Sequence, residues 1–314
     1  MSTAGIEVRE IARGLRFPEG PIALPDSSFL VVEIERGTLT RITADGRVEP
    51  VAFTGGGPNG AAIGPDGKCY VCNNGGHVWR EDGHGLRPIG PAPDYTHGWI
   101  DRIDLATGTV ERLHEASDKG PLRSPNDIVF DRTGGFWFTD LGKGTKDAIE
   151  RGSVCYAPAD GSGVRRAVFP LLSPNGIGLS ADEKTLYVAE TQTARLWAFD
   201  LAAPGVVQRI RWPESHNGGR MLAGSGAVFQ MFDSLAVDSA GNICVATVSN
   251  GGITVVSADG RDVRHVPLPD HITTNICFGG PGLATAYATL SATGRLVAFR
   301  WACGGLPLNF LDRR

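Results

Sequence analysis

The sequence predicts an all-β fold, a six-bladed β-propeller whose ring is closed by an N-terminal strand. Three observations predict it. Gly makes up 43 of the 314 residues, about twice the usual share near 7%, and scattered Asp-Gly pairs favour short strands joined by tight turns. Long amphipathic helical periods are missing. A unit of loop, alternating strand, Gly-containing turn and second strand recurs six times, at intervals of about 40 to nearly 70 residues, near the period of propeller repeats.

The elements follow in order. "IEVREIAR" alternates and reads as a strand ahead of the first copy; paired into the last blade, it would remove an exposed edge. The first copy runs "FPEGPIALPDSSFLVVEIERGTLTRITADGRVEPV". The second opens "GPNGAAIGPDGKCYVCNN" and resumes at "GWIDRIDLATGTVERL", interrupted by an insert rich in Pro, Gly, His and aromatics. The third is "SPNDIVFDRTGGFWFTDLG" with "GSVCYAPADGSGVRRAV", and the fourth "SPNGIGLSADEKTLYVAETQTARLWAFDL". "MFDSLAVDSAGNICVATVSNGGITVVSADGRDVRHV" is the fifth and "TTNICFGGPGLATAYATLSATGRLVAFRW" the sixth. Each copy holds about four short strands. A lone four-stranded blade cannot bury both faces, so blades stack around an axis. The copies account for nearly the whole chain, which gives one domain over residues 1–314. A pair of β-sandwiches is the alternative, but it leaves six units in one register unexplained.

The net charge is −4 and no basic stripe appears, which argues against nucleic acid as a partner. No apolar run approaches the roughly 20 residues that span a bilayer. "MSTAGIEVREIARGL" lacks the apolar core of a signal peptide, so a cytoplasmic location is expected. Cys69 and Cys72 form a C-x-x-C on a strand, where residues three apart point to opposite faces and share a metal poorly. These two and Cys155, Cys244, Cys277 and Cys303 read as buried structural thiols in a reducing compartment. The oligomeric state is not legible.

One position aligns across the six copies. It holds Glu19, Asn59, Asn126, Asn175, Asp233 and Asn275. Asp, Glu and Asn together are about 14% of the chain, so six matches by chance are on the order of 10⁻⁵ before allowing for the choice of register. The position precedes the innermost strand of each blade, the strand that lines a propeller's channel. Six oxygen-bearing side chains would then converge, a set of hard ligands suited to Ca²⁺ or Mg²⁺, with Mn²⁺ possible. Asn and Asp also make Asx-turns; Glu is a poor turn former, and a Glu and an Asp in one narrow channel repel unless a cation lies between them.

At these residues the chain resembles the gluconolactonase family. This group of calcium-dependent six-bladed propellers includes senescence marker protein 30 (regucalcin), bacterial sugar lactonases and the diisopropyl-fluorophosphatase type. The resemblance spans all six copies and rests on "FPEGP" at Phe17–Pro21, "SPND" followed by "FWFTD", "SPNG" followed by "LYVAET", "FDSLAVDSAGNICVA" at Phe232–Ala246 and "TNICFGG" at Thr274–Gly280. It implies one divalent metal, Ca²⁺ first and Zn²⁺, Mn²⁺ or Mg²⁺ as alternatives, held by Glu19, Asn175 and Asp233. Asn126 would contact metal or substrate, and Asp233 would also be the catalytic base or nucleophile. Several members carry an Arg two residues before the third-blade Asn. Here that position is Ser124, with Arg123 the nearest Arg, which leaves the substrate open. The second-copy insert reads as a lid whose Tyr95, His97 and Trp99 either line the pocket or pack on its rim. Arg123, His97 and Trp99 join Asn126 as the substrate-binding expectation.

The chemistry expected is hydrolysis of a small lactone: the metal polarises the carbonyl and Asp233 activates water. The same site acting on an apolar lactone, ester or phosphotriester-like compound is the alternative, and a non-catalytic calcium-binding scaffold the third reading. No G-x-S-x-G elbow supports a serine nucleophile. The His residues show no i, i+4 metal pair, although His265 and His271 precede the last blade. Asp140, in "FTD", reads as a strand-end residue.

Overall fold

The computed structural model describes residues 6–224 and 226–312. Six antiparallel sheets follow one another along the chain. From the innermost strand outward, blade 1 is Pro18–Ala23, Phe29–Glu33, Thr38–Ile42 and Val48–Phe53; blade 2 is Pro58–Ile63, Cys69–Asn73, Trp99–Ile103 and Val110–His114. Blade 3 is Pro125–Phe130, Gly135–Asp140, Gly152–Pro158 and Arg165–Leu171, and blade 4 is Pro174–Leu179, Thr185–Glu190, Arg195–Ala203 and Val206–Gln208, with Arg220–Ala223 also paired to its third strand. Blade 5 is Met231–Val237, Ile243–Val248, Gly252–Val256 and Val263–Pro267. Blade 6 takes Thr273–Gly279, Thr285–Leu290 and Arg295–Arg300 from the C-terminal part of the chain and its outer strand, Arg9–Arg13, from the N-terminal part. The six-bladed propeller and its N-terminal closure stand as read from the sequence. Among the described residues no helix is long and apolar enough to cross a membrane.

The core lies between blades. Each apolar cluster spans one junction: Trp137, Val154 and Val168 of blade 3 meet Ile177, Val188 and Phe199 of blade 4, and Cys244 and Val255 of blade 5 meet Ile276 and Phe299 of blade 6. A blade's alternating strands feed one cluster on each side, which is why no blade is stable alone. Five of the six cysteines are buried, Cys69 and Cys72 on opposite sides of their strand in different clusters. Cys303 is exposed, against expectation: it lies just past Arg300, outside the last strand, with its thiol on Asp238 Oδ2 (3.1 Å).

Two devices set the innermost strands. The first is a bulge. Between Glu19 and Ile22, Pro58 and Ala61, Pro125 and Ile128, Pro174 and Ile177, Phe232 and Leu235, and Thr273 and Asn275, the inner strand carries one residue more than its partner. A bulge breaks the two-residue alternation and re-aims side chains. The second is a clasp. Blades 1–4 open with Pro, which has no N–H to give the ladder. The residues opposite, Glu33, Asn73, Asp140 and Glu190, use their side chains instead. They accept from Arg16 N (2.7 Å), Gly57 N (2.8 Å), Ser124 N (2.6 Å) and Leu172 N (2.7 Å). The strand-end role expected of Asp140 is thus one of four equivalent clasps.

Neighbouring inner strands approach closely at the bulges. A Cβ on Gly60 would stand 2.5 Å from Asn126 O and 2.6 Å from Asp127 Cα. Gly60→Ala is therefore expected to destabilise the protein by about 1–3 kcal/mol, read by urea denaturation. Gly83→Ala, with nothing within 4 Å, should change stability by less than about 0.5 kcal/mol; equal losses at both positions would refute the close-approach account.

Candidate active site

All six aligned residues sit at the same end of the innermost strands, at the second or third residue of each. Glu19 is 2% exposed. Its Oε2 accepts from Gly20 N (2.6 Å) and from Asn275 Nδ2 (2.7 Å), which joins blades 1 and 6. Asn175 gives its Nδ2 to Thr191 Oγ1 (3.1 Å), and its Oδ1 accepts from Ser234 Oγ (3.4 Å). Asn59 is buried, and the buried Oδ1 of Asn126 has no hydrogen-bond partner. Phe17 and Ser173, each two residues before a predicted ligand, hold positive φ (54° and 52°). Backbone strain of this kind persists only where surrounding structure enforces it.

The carboxyl groups repel one another. Burial and the Asp233 charge push the Glu19 carboxyl well above the usual carboxylate range, with Asp127 adding to the rise. Asp233 is pushed up to about 7 by burial, with Asp127 adding to the rise and a hydrogen bond from Asn175 opposing it. Asp127, a residue the sequence analysis did not select, is also pushed up to about 7, by burial. Alternation places Asp127 on the face opposite Asn126, but both residues sit in the blade 3 bulge between Pro125 and Ile128, which cancels the alternation. Asp127 then reaches across the ring. Its Oδ2 accepts from Ile177 N of blade 4 (3.3 Å), and blade 5 adds hydrogen bonds from Ser234 and Leu235. A signal was present: the residue after the aligned position is Gly20, Gly60 and Gly176 in three other copies, so an Asp there stands out.

The predicted substrate residues have partners of their own. Arg123 holds Glu150 through two guanidinium nitrogens, Nε at 3.0 Å. Ser124 is buried under the Asp140 clasp. His97 meets Thr96 (2.9 Å) and Glu115 (3.4 Å). Trp99 lies under the Arg112 guanidinium (3.9 Å) and donates to Asp101 Oδ2 (2.7 Å). Tyr95 donates to Arg123 O (2.6 Å), with Lys143 Nζ 4.3 Å above its ring. Lys143, buried and lowered to about 8 by that burial, also donates to Asn74 O (2.7 Å) and ties the start of the insert to blade 3. The insert itself is a hairpin, His77–Asp82 with Gly85–Pro91. It lies back over blade 1, Trp79 against Phe17 (5.0 Å), and over a turn of blade 6, where Leu86 N donates to Ala292 O (3.1 Å). His265 is taken up by Gly251 O (3.0 Å), and the His271 side chain is half exposed.

The residues present fit a divalent cation. The converging donors are oxygens, two carboxylates that repel and a carboxamide oxygen without a partner, the set hard cations take. Among the described residues no three His, Cys, Asp or Glu side chains stand close enough to share an ion. A cation here would draw on Asn126 and Asn175 besides Glu19 and Asp233.

Residues 17–292 match the family described as SMP-30/Gluconolactonase/LRE-like region. The chain belongs to that family. It is 27% identical over 251 residues to the lactonase drp35 of Staphylococcus saprophyticus, an alignment covering 77% of this chain and 67% of that protein. It is 24% identical over 305 residues to the gluconolactonase of Zymomonas mobilis, covering 88% and 76%. Among solved structures, the calcium-binding protein regucalcin of Agrobacterium tumefaciens superposes with a TM-score of 0.75 at 20% identity, covering 99% of this chain and 98% of that one. At that identity the superposition speaks for the fold alone.

The raised Asp233 carboxyl makes the metal-free protein sensitive to pH. A folded-state pKa near 7, above the unfolded value near 3.9, gives stability that is full below pH 4 and lost as pH rises through 7. In metal-free buffer, Asp233→Asn should gain on the parent between pH 5.5 and pH 8, by about 1 kcal/mol or more, roughly 2 °C in Tm. A parent-to-variant difference that stays constant with pH would remove the repulsion account.

Proposed function

We propose that the protein is a divalent-metal-dependent hydrolase that opens small lactones. The observation that carries this reading is the pair of carboxyl groups, Glu19 and Asp233, at one end of the channel and near enough for the Asp233 charge to act on Glu19, with Asn126 and Asn175 at the same strand position. The relatives named lactonase and gluconolactonase support the reaction class.

A bound divalent ion, Ca²⁺ first, would supply positive charge for the carbonyl oxygen as it becomes an oxyanion. Glu19 and Asp233 bring the negative charge that holds such an ion, and Asn175 adds a ligand oxygen without adding charge. Asn126 offers its unpartnered Oδ1 to the ion and its Nδ2–H to the substrate oxygen. Asp233 takes a proton from the attacking water. Water oxygen bonds to the carbonyl carbon, the ring C–O bond breaks, and the leaving alkoxide takes the proton back from Asp233. The product is an open-chain hydroxy acid, which loses its own proton to solvent.

A second reading of the substrate has a specific observation behind it. Arg123, His97 and Trp99 are each tied to neighbours, and Ser124 stands where an Arg would grip sugar hydroxyls. This favours an apolar lactone, ester or phosphotriester-like compound over a polyhydroxylated one.

The deciding experiment is a pH-indicator screen of sugar, aliphatic and aromatic lactones, with and without chelator. Chelated protein should lose turnover and regain it with Ca²⁺, Zn²⁺ or Mn²⁺. Asp233→Asn should lower kcat by about 10²–10⁴-fold, and Glu19→Gln should weaken metal binding by about tenfold or more, read by calorimetry. Metal binding without turnover on any lactone would leave a calcium-binding scaffold.

A further inference from the structure

The segment after the last strand belongs to no blade, and its sequence, "WACGGLPLNFLDRR", plays no part in the reaction described above. In the structure residues 304–312 turn under the ring, at the end of the inner strands opposite Glu19 and Asp233. Gly304 holds φ 72°, and a Cβ on Gly305 would collide with the Phe278 ring, so the paired glycines let the backbone press against the end of blade 6. The chain then crosses from blade to blade. Leu306 N donates to Val237 O at the end of blade 5 (2.9 Å). Asn309 Nδ2 bridges Phe130 O of blade 3 (3.0 Å) and Glu183 Oε1 of blade 4 (2.8 Å), and Glu183 is held in turn by Arg132 Nε (3.0 Å). Phe310 meets Phe130 edge-on at 5.9 Å, and Leu311 packs on the cluster between blades 1 and 2.

Above this segment lies a cavity of about 100 Å³. Asp127 and Asn275 border it on the site side; Ile128, Ile177, Ile276 and Cys277 form walls, and Leu308 lies in its floor. The cavity thus lies between the site end of the inner strands and this floor.

We propose that residues 304–312 are a stopper that makes the channel a blind well. Reactant and product pass only through the mouth that carries Glu19, Asn175 and Asp233, and the space beneath the carboxyl groups is closed to bulk water. The latch is Asn309, which spans two blades with one amide, and Leu308 is the apolar seal. The closure holds whatever the substrate.

Cys277 reports on it, because this residue borders the cavity and packs between blades 6 and 1, while Cys303 lies outside. Folded, metal-loaded protein would be treated with N-ethylmaleimide and the modified peptides timed by mass spectrometry. In the parent, Cys303 should react about 100-fold faster than Cys277. Asn309→Ala and Leu308→Ser should each raise the Cys277 rate by about tenfold, with Cys69, Cys72 and Cys155 still protected. Cys277 reacting as fast as Cys303 in the parent, or a rate unmoved in both variants, would overturn the proposal. If Leu308→Ser exposes the other buried thiols as well, its blades have opened; Asn309→Ala, which deletes two hydrogen bonds and little packing, then decides.

Discussion

Three carboxyl groups from three blades are held at one end of the ring, near the starts of the innermost strands, and the rest of the structure is organised around holding them there. Glu19, Asp127 and Asp233 are each pushed toward the protonated form by burial, Glu19 further by the charges of Asp233 and Asp127, and Asp233 further by that of Asp127. Left free, such groups would swing out to water. They stay because the scaffold is stiff at that level. The inner strands pack on one another so closely that glycine is required beside them, and the N-terminal strand removes the seam at which a ring could spread. A protein that concentrates negative charge in this way gives up stability in return for affinity toward whatever neutralises it.

The bulges and clasps explain how six modest strands reach that arrangement. Strict alternation allows each inner strand one axial side chain near its start. An extra residue in the strand relaxes that limit, which is how blade 3 places both Asn126 and Asp127 in the site. The prolines at the head of blades 1–4 free a clasp side chain on the second strand, which then fixes the incoming loop by its backbone N–H groups. A turn, a bulge and a buried acceptor together set the direction of one side chain. The Pro-Asn and Pro-Glu steps are therefore parts of a positioning device, and the side chain after the proline is the part that faces the axis.

Much of this was legible in the sequence, and the part that was not has a common cause. The repeat, the closure by "IEVREIAR" and the oxygen-bearing register depend on local patterns that one strand reveals. Asp127 depends on a bulge, and a bulge follows from pairing with a second strand. The clasps of Glu33, Asn73 and Glu190 depend on which residue lies opposite a proline. Arg123 stands beside Ser124, the position where several family members carry an Arg; Glu150, which occupies its guanidinium, lies in a loop that only the fold brings near. The insert at 75–99 carried aromatic and basic residues that suggested a lid, but a lid and a rim brace have the same composition. The difference lies in the contacts, where Trp79 covers Phe17 and Lys143 reaches in from blade 3.

The two ends of the channel divide the work differently. At one end the backbone of six strands fixes charged groups with little freedom, and the loops around them are braced by pairs such as Arg123–Glu150 and Tyr95–Lys143. Those loop residues can change without moving Glu19 or Asp233, since the clasps below them act through backbone groups. At the other end a single segment ties blades 1 to 5 together after the last strand is complete. Substrate preference can thus vary in the upper loops while the carboxyl groups and the floor stay fixed. The site's charge is a property of the ring, and its selectivity a property of what stands on the ring.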